Sequence, residues 1–354
     1  MSGAAADPAL RRMAHTVLLP GFAGTSVPAW LARAIEEGLG AVAYFAHNLA
    51  DDPARLSAEL RALRPDLLTA SDEEGGRVTR LHAAGGSPFP GHGELGRGGA
   101  DRTRETAAAM GRELAAAGIT AALAPVADIG TDPANPVIGD RSFGADPAVV
   151  AAHTAAFVEG LHAAGTASAA KHFPGHGDTR TDSHVDLPVL GADTATLHRR
   201  ELVPFAAAVQ AGTDMVMTGH LAVPALDTAP ASVSARCYEL LRSELRFTGA
   251  AVTDALDMRG LAAYTGAADR TRGVARGAAA ALAAGADLLC LGNPAGAAGI
   301  GAPARPEGGA DEALFRAARD AVLAAVDEGR VPPDRLAQAA ERVERMLAAR
   351  TPAP

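Results

Sequence analysis

Aromatic side chains are scarce in this sequence: 9 Phe, 3 Tyr and 1 Trp, about 4% of 354 residues. The apolar 48% is instead mostly Ala, Val and Leu, alongside 39 Gly. Such small side chains suit close packing of helices on strands more than an all-β sandwich. Cysteine is nearly absent, and Cys237 and Cys290 are too far apart for a metal-binding spacing or a disulfide framework. Each lies in or beside an apolar stretch, so both are expected to be buried free thiols. There is no excess of positive charge. A net charge of −9 and the lack of any long basic run argue against nucleic acid as a partner. No apolar run approaches the ~18 residues that suggest a membrane span. The opening MSGAAADPALRRMAHTVLLPGF lacks the pattern of a secretion signal, so a cytoplasmic protein is expected.

What is present is a repeating alternation. Eight short apolar runs, HTVLLPGF, GAVAYFA, DLLTASDEEGG, ITAALAPVADI, TASAAKHFPG, DMVMTGH, GAAVTDALDM and ADLLCLG, each give way to a polar or glycine-rich break. Segments with helical spacing lie between them, among them RTRETAAAMGRELAAAG and DPAVVAAHTAAFVEGLHAAG. Strand–helix alternation implies a parallel sheet. Eight such strands imply a single-domain (β/α)8 TIM barrel, with the barrel over about residues 14–350 behind a short flexible N-terminus. A doubly wound open sheet is the competitor, but GFAGTS is not its glycine-rich phosphate loop. Two amphipathic helices follow the last strand, after a Gly/Ala/Pro-rich loop at 294–310 that is expected to be mobile. No internal repeat is evident.

Polar residues cluster where these strands end. Asp72 follows LLTAS, Asp128 follows LAPVA, Lys171 and His172 follow TASAA, His220 follows VMTG and Asp254 follows AAVT. A single strand-end aspartate is commonly a helix cap. Five strand ends carrying such groups point instead to the mouth of a barrel, where catalysis takes place.

The densest stretch is KHFPGHGDTRTDSHVDLP, residues 171 to 188. His172, His176, Asp178, Asp182 and His184 are all metal-ligand types. The Pro-Gly between the first two histidines excludes the helical His-Glu-x-x-His arrangement, so no metal is expected. In DSH, by contrast, Asp182 and His184 are two apart and share one side of an extended chain. A carboxylate beside an imidazole favours and orients the protonated ring, which suits proton transfer. The pair needs a partner across the reacting bond, and Asp254 is the candidate.

These residues also carry a family resemblance. The stretch resembles the signature of family 3 glycoside hydrolases, in the β-N-acetylglucosaminidase branch. The similarity continues, in order, through SDEEGGRVTRL, APVADI, NPVIGDRSFG, MTGHLAVPALD, PASVSARCYELLRSELRFTGAAVTDALDM and AAGADLLCLGN. The resemblance implies a barrel that cleaves terminal β-linked N-acetylglucosamine with retention, by double displacement and without cofactor. It implies Asp254 as nucleophile, His184 as general acid and then base, and Asp182 as its partner. Asp72, Arg80, Arg141, Lys171 and His172 would bind sugar hydroxyls. Arg77 is read as structural, Asp128 and His220 as supports behind the site, and His176 and Asp178 as braces of the loop. Trp30 and the remaining histidines are read as packing or surface residues.

The sequence departs from the family pattern at His47, where relatives commonly have arginine, and at Glu73, where glutamine is common. Asp186 and Gly219 also depart, which leaves the aglycone side open. The expected substrate is a small carbohydrate, an N-acetylglucosaminide of muropeptide or chito-oligosaccharide type. The expected state is a monomer engaging neither nucleic acid nor membrane. Competing readings are a phosphorylase or a β-glucosidase of the same family, or an inactive sugar-binding sensor.

Overall fold

A computed structural model of the chain describes residues 3–132, 135–181, 187–295 and 309–350. The strands run, in chain order, β1 (Leu18–Leu19), β2 (Ala41–Tyr44), β3 (Leu68–Ser71), β4 (Glu73–Gly75), β5 (Val78–Thr79), β6 (Ala121–Ala122), β7 (Ala167–Phe173), β8 (Met215–Thr218), β9 (Ala250–Thr253) and β10 (Leu289–Cys290). Each of the eight apolar runs in the sequence contains one of the parallel strands. The additional pair, β4 and β5, is an antiparallel hairpin in the turn after β3.

The fold is α/β, built on a curled parallel sheet in the order β2-β3-β6-β7-β8-β9. Strands β1 and β10 form a separate parallel pair, with Leu18 opposite Leu289 and Leu19 opposite Cys290. Single parallel bridges, Gly21 to Ala43 and Val252 to Leu288, lie between this pair and the two sheet edges.

Period-2 alternation sorts the strand residues into two faces. One face contributes Ala41, Ala43, Leu68, Ala70, Ala121, Ala167, Ala169, Met215, Met217, Ala250 and Val252 to an inner cluster. The other face turns Val42, Tyr44, Ala122, Ala170, Val216 and Ala251 towards the helices. The many alanines on the inner face leave room for the sheet to curl. Val343, Met346 and Leu347 of the helix Pro333–Arg350 join the inner cluster, so that helix covers the end of the sheet away from the strands' C-termini.

Local chemistry sets the helix starts. Asp7, Asp52 and Asp146 each precede a proline and accept backbone N–H bonds from the first turn, the Asp-Pro form of an N-cap. Trp30 packs tilted on Phe315 and donates to Asp311 Oδ2 at 3.2 Å, a packing role as the sequence suggested. Cys237 and Cys290 are both buried free thiols. No described helix is long and apolar enough to cross a membrane. The loop expected to be mobile at 294–310 lies mostly outside the described residues.

Two aspartates tie the last helix to the bottom of the sheet. Asp214 accepts from the Ser168 amide at 2.9 Å, His162 Nε2 at 2.9 Å and Arg350 Nε at 2.7 Å. Asp287, with its side chain fully buried, accepts from Arg335 at 2.8 Å and Arg342 at 3.0 Å, and also from Arg242. Removing one member of a buried ion pair typically costs about 3–5 kcal/mol, because the partner charge stays behind. Asp287→Ala strands three arginines at once. Denaturant unfolding should show a loss in that range, while Asp320→Ala, at an exposed surface pair, should cost under about 1 kcal/mol.

Candidate active site

The strand-end residues singled out in the sequence meet at the C-terminal edge of the parallel sheet. Asp72 follows β3 directly, and its carboxylate takes Lys171 Nζ at 2.8 Å on one oxygen and Arg80 Nη2 at 3.0 Å on the other. Lys171, buried at 2% side-chain exposure, also lies 2.6 Å from Glu74 Oε1. Glu74 in turn holds Arg141 in a fork, Nε to Oε2 at 2.8 Å and Nη2 to Oε1 at 2.8 Å. The result is a chain of alternating charge, Arg80–Asp72–Lys171–Glu74–Arg141. Bidentate pairing of this kind fixes orientation as well as charge.

Burial and pairing oppose each other in these groups, and pairing wins. Burial alone would raise the Asp72 and Glu74 carboxyls, but the cations hold both well below the usual carboxylate range. Burial would lower Lys171, yet Asp72 and Glu74 raise it. The cluster stays ionised across ordinary pH.

Glu74 was not among the residues the sequence suggested. DEE offers three consecutive carboxylates, and only the hairpin decides between them. Glu73 points away and accepts from the backbone N–H of Arg80 at 2.9 Å and of Leu81 at 2.7 Å, and from Thr79 Oγ1 at 2.7 Å. It therefore pins β5 and carries Arg80 into place, and burial raises its carboxyl. Arg77 binds Asp140 Oδ1 at 2.6 Å and the Val137 carbonyl at 3.1 Å, in keeping with a structural role.

A second carboxylate organises the loop after β7. Asp128 is fully buried and receives His172 Nδ1 at 2.7 Å, the His172 amide at 3.1 Å and the His176 amide at 2.7 Å. Burial would raise Asp128, but His172 holds it below the ordinary range. This bond fixes the His172 ring, its Nδ1 turned to the carboxylate. The Lys171–His172 and Phe173–Pro174 peptide bonds are cis. The β7–β8 register shifts between Lys171 and Phe173.

Asn135, also absent from the sequence reading, joins two loops. Its Nδ2 donates to the carbonyls of His176 at 2.9 Å and Gly177 at 3.1 Å, while Oδ1 accepts from Val137 at 2.9 Å and Ile138 at 2.8 Å. His176 Nδ1 meets Thr179 Oγ1 at 2.7 Å, and Asp178 pairs with Arg200 at 2.5 Å. Both brace the loop, Asp178 through its ion pair. Beyond the loop, Leu190 and Ala222 bond through the backbone at 2.9 Å. Asp182 and His184 lie outside the described residues, as does Asp186.

Asp254 follows β9 at the same edge. Its amide donates to the Thr218 carbonyl at 2.9 Å, and one carboxylate oxygen accepts the Ala255 N–H at 2.7 Å. The residue is half-buried. His220 supports this turn from behind: Nε2 contacts the Ala255 carbonyl at 2.9 Å and Nδ1 contacts Ser232 Oγ at 2.7 Å. Asp257 is engaged by Arg270 at 2.6 Å. Among the described residues, no group of three or more His, Cys, Asp or Glu is placed to hold a metal ion.

Residues 34–346 match the family model described as the glycosyl hydrolase family 3 N terminal domain. The chain belongs to glycosyl hydrolase family 3. This family 3 chain is 39% identical over 292 residues to a beta-hexosaminidase of Xylella fastidiosa (strain M23), covering 78% of this chain and 84% of that one. A beta-hexosaminidase of Pseudomonas aeruginosa (strain LESB58) is 39% identical over 260 residues, covering 71% and 74%. Among solved structures, a family 3 beta-N-acetylglucosaminidase from Paenibacillus sp. str. FPU-7 superposes with a TM-score of 0.85 at 37% identity, over 96% of this chain. The family 3 chain spans 62% of that protein's length. A beta-N-acetylhexosaminidase from Beutenbergia cavernae DSM 12333 gives 0.77 at 29% identity, covering 96% and 97%. The chain is thus a glycoside hydrolase.

One further carboxyl is buried under this site. Glu201 is buried, with Oε2 lacking any partner among the described residues, and Gly175 passes so close that a Cβ there would lie 2.8 Å from that oxygen. Burial raises its carboxyl from 4.5 to about 7, against the opposing pull of Arg200. A raised folded-state pKa makes its contribution to stability complete below about 4.5 and lost as pH rises through about 7. Melting temperature measured from pH 5 to 8 should therefore fall more for the wild type than for Glu201→Gln, which mimics the protonated acid. Parallel curves would mean that this carboxyl does not titrate in that window.

Proposed function

We propose that this glycoside hydrolase is a retaining exo-β-N-acetylglucosaminidase acting by double displacement. In the first step, the Asp254 carboxylate attacks the anomeric carbon. The bond to the aglycone breaks as His184 delivers a proton to the leaving oxygen. The second step runs in reverse sense: His184 takes a proton from water, which attacks the anomeric carbon and frees Asp254. Two inversions give net retention. Asp182 orients His184 and favours its protonated form before the first step. An imidazolium acid also meets an anionic aglycone without like-charge repulsion.

The observation that carries the reading is the placement of Asp254 on the same edge as the Arg80–Asp72–Lys171–Glu74–Arg141 chain. A sugar ring entering that edge loses water from its hydroxyls and needs replacement partners. Asp72, Arg80, Arg141, Lys171 and His172 are the proposed ones. Arg80 Nε, buried without a partner among the described residues, has hydrogen-bonding capacity to spare. Glu74 neutralises Lys171 and Arg141 from beneath.

The proposal extends to the architecture. The bridges from Gly21 to Ala43 and from Val252 to Leu288 support a closed eight-stranded barrel in one domain, with β1 and β10 completing the circuit. The proposed setting is a cytoplasmic monomer, acting without a cofactor on fragments of cell wall or chitin.

Nitrophenyl β-glycosides of N-acetylglucosamine, glucose and N-acetylgalactosamine separate the sugar classes, with N-acetylglucosamine expected to give the highest kcat/KM. Asp254→Ala should lower kcat on that substrate by at least about 10⁴-fold, as loss of a reacting group typically does. Unchanged turnover would exclude Asp254 as nucleophile. Sugar 1-phosphate formed only with added phosphate would replace water by phosphate as second acceptor.

A further inference from the structure

The charged chain accounts for the hydroxyl rim of a pyranose but not for its faces. In a β-linked glucosamine-type ring the hydroxyls are equatorial, and the C–H bonds present an apolar surface above and below. Desolvating that surface is favourable only against an apolar partner. Aromatic rings are well suited to this because they are flat, rigid and only weakly hydrated.

Eight residues directly follow the parallel strands: Pro20, Phe45, Asp72, Leu123, Pro174, Gly219, Asp254 and Leu291. Phe45 is the aromatic among them. It packs on the top of the inner apolar cluster together with Ala255, the residue after Asp254. It is half-buried and follows β2 at the C-terminal edge of the sheet, one strand over from Asp72.

The ring is held from three sides. A Cβ on Gly21 would sit 2.6 Å from Phe45 Cε2 and 2.8 Å from the Gly292 carbonyl, so the ring lies across a bare backbone at the ends of β1 and β10. Gly292 has φ +90°, and a Cβ there would meet the Asp257 carboxylate at 1.9 Å. The ring thus neighbours the turn that carries Asp254. The Phe45 amide donates to Asn48 Oδ1 at 2.8 Å, and Asn48 Nδ2 reaches the carbonyls of Phe22 at 3.0 Å and Gly24 at 2.7 Å. His47 stacks nearly parallel to Phe45, with centroids 6.2 Å apart, and is itself tied to the Phe22 carbonyl at 2.9 Å. A ring fixed in this way loses little entropy when a ligand covers it.

We propose that Phe45 is the apolar platform of the site, packing against a C–H face of the bound amino sugar beside the charged chain that holds its hydroxyls. The inference rests on the amino-sugar reading given above. It sets an apolar patch at the ends of β1, β2 and β10 beside the polar groups carried from β3 to β7. A platform that touches the ring equally in ground and transition states affects KM more than kcat.

The test combines steady-state kinetics on nitrophenyl N-acetyl-β-glucosaminide with calorimetric binding of N-acetylglucosamine, for wild type, Phe45→Tyr, Phe45→Leu and Phe45→Ala. Retaining the ring in Phe45→Tyr should keep KM and affinity within about threefold of wild type, allowing for its hydroxyl. Phe45→Leu and Phe45→Ala should raise KM and weaken binding about tenfold, with kcat within about threefold. Phe45→Leu matching wild type in both measurements would overturn the proposal, as would a loss confined to kcat. If Phe45→Ala does not fold, the Tyr and Leu variants decide. Wild type that binds the sugar without cleaving the glycoside would sink the hydrolytic mechanism and leave Phe45 to be judged on binding alone. Wild type that does neither would end both.

Discussion

A carboxylate buried as deeply as Glu74 stays ionised only if cations share it, and the rest of the site is arranged around that requirement. Arg141 grips it as a fork and Lys171 reaches it from β7. Those two cations come from separate segments, so the pairing holds the turn after β3, the loop after β6 and the end of β7 in one place. Lys171 then has charge left for Asp72, and Asp72 orients Arg80. Desolvation makes each charge costly alone. Together they form a rigid polar wall whose donors and acceptors are in place before a ligand arrives, the condition under which electrostatic contacts help catalysis most.

The wall is useful because the sheet delivers it to one edge. Parallel strands all end on the same side, and alternation along each strand sends small residues inward and larger ones towards the helices. Below, Asp214 and Asp287 gather arginines from the last helix and keep that end shut. Above, Asp128 and Asn135 fasten the start of the β7 loop, and the Leu190–Ala222 bond fastens the chain again beyond it. The same device, a buried acceptor collecting donors from distant segments, thus serves stability below and positioning above.

Much of this was legible in the sequence, for identifiable reasons. The eight strands showed because each is a short apolar run ended by glycine, proline or a charged residue. The placing of Asp72, Lys171, His172 and Asp254 at strand ends followed from strand boundaries alone, whereas their separate roles came from the family resemblance. The β4–β5 hairpin was missed because strands of three and two residues leave no periodic trace. Glu74 was missed because three adjacent acids look alike until the hairpin turns one towards Lys171 and another towards β5. Asn135 and the arginines around Asp287 act across tens of residues, and no local pattern announces such contacts.

The proposed mechanism makes Asp254 the carboxylate that reacts. The most direct measurement is to trap the glycosyl-enzyme with a slow fluorinated N-acetylglucosaminide, digest it and locate the label by mass spectrometry. The account predicts one sugar per chain, on the peptide containing AAVTDALDM and attached at Asp254. A label on another carboxylate, or full inactivation with no covalent sugar, would contradict it.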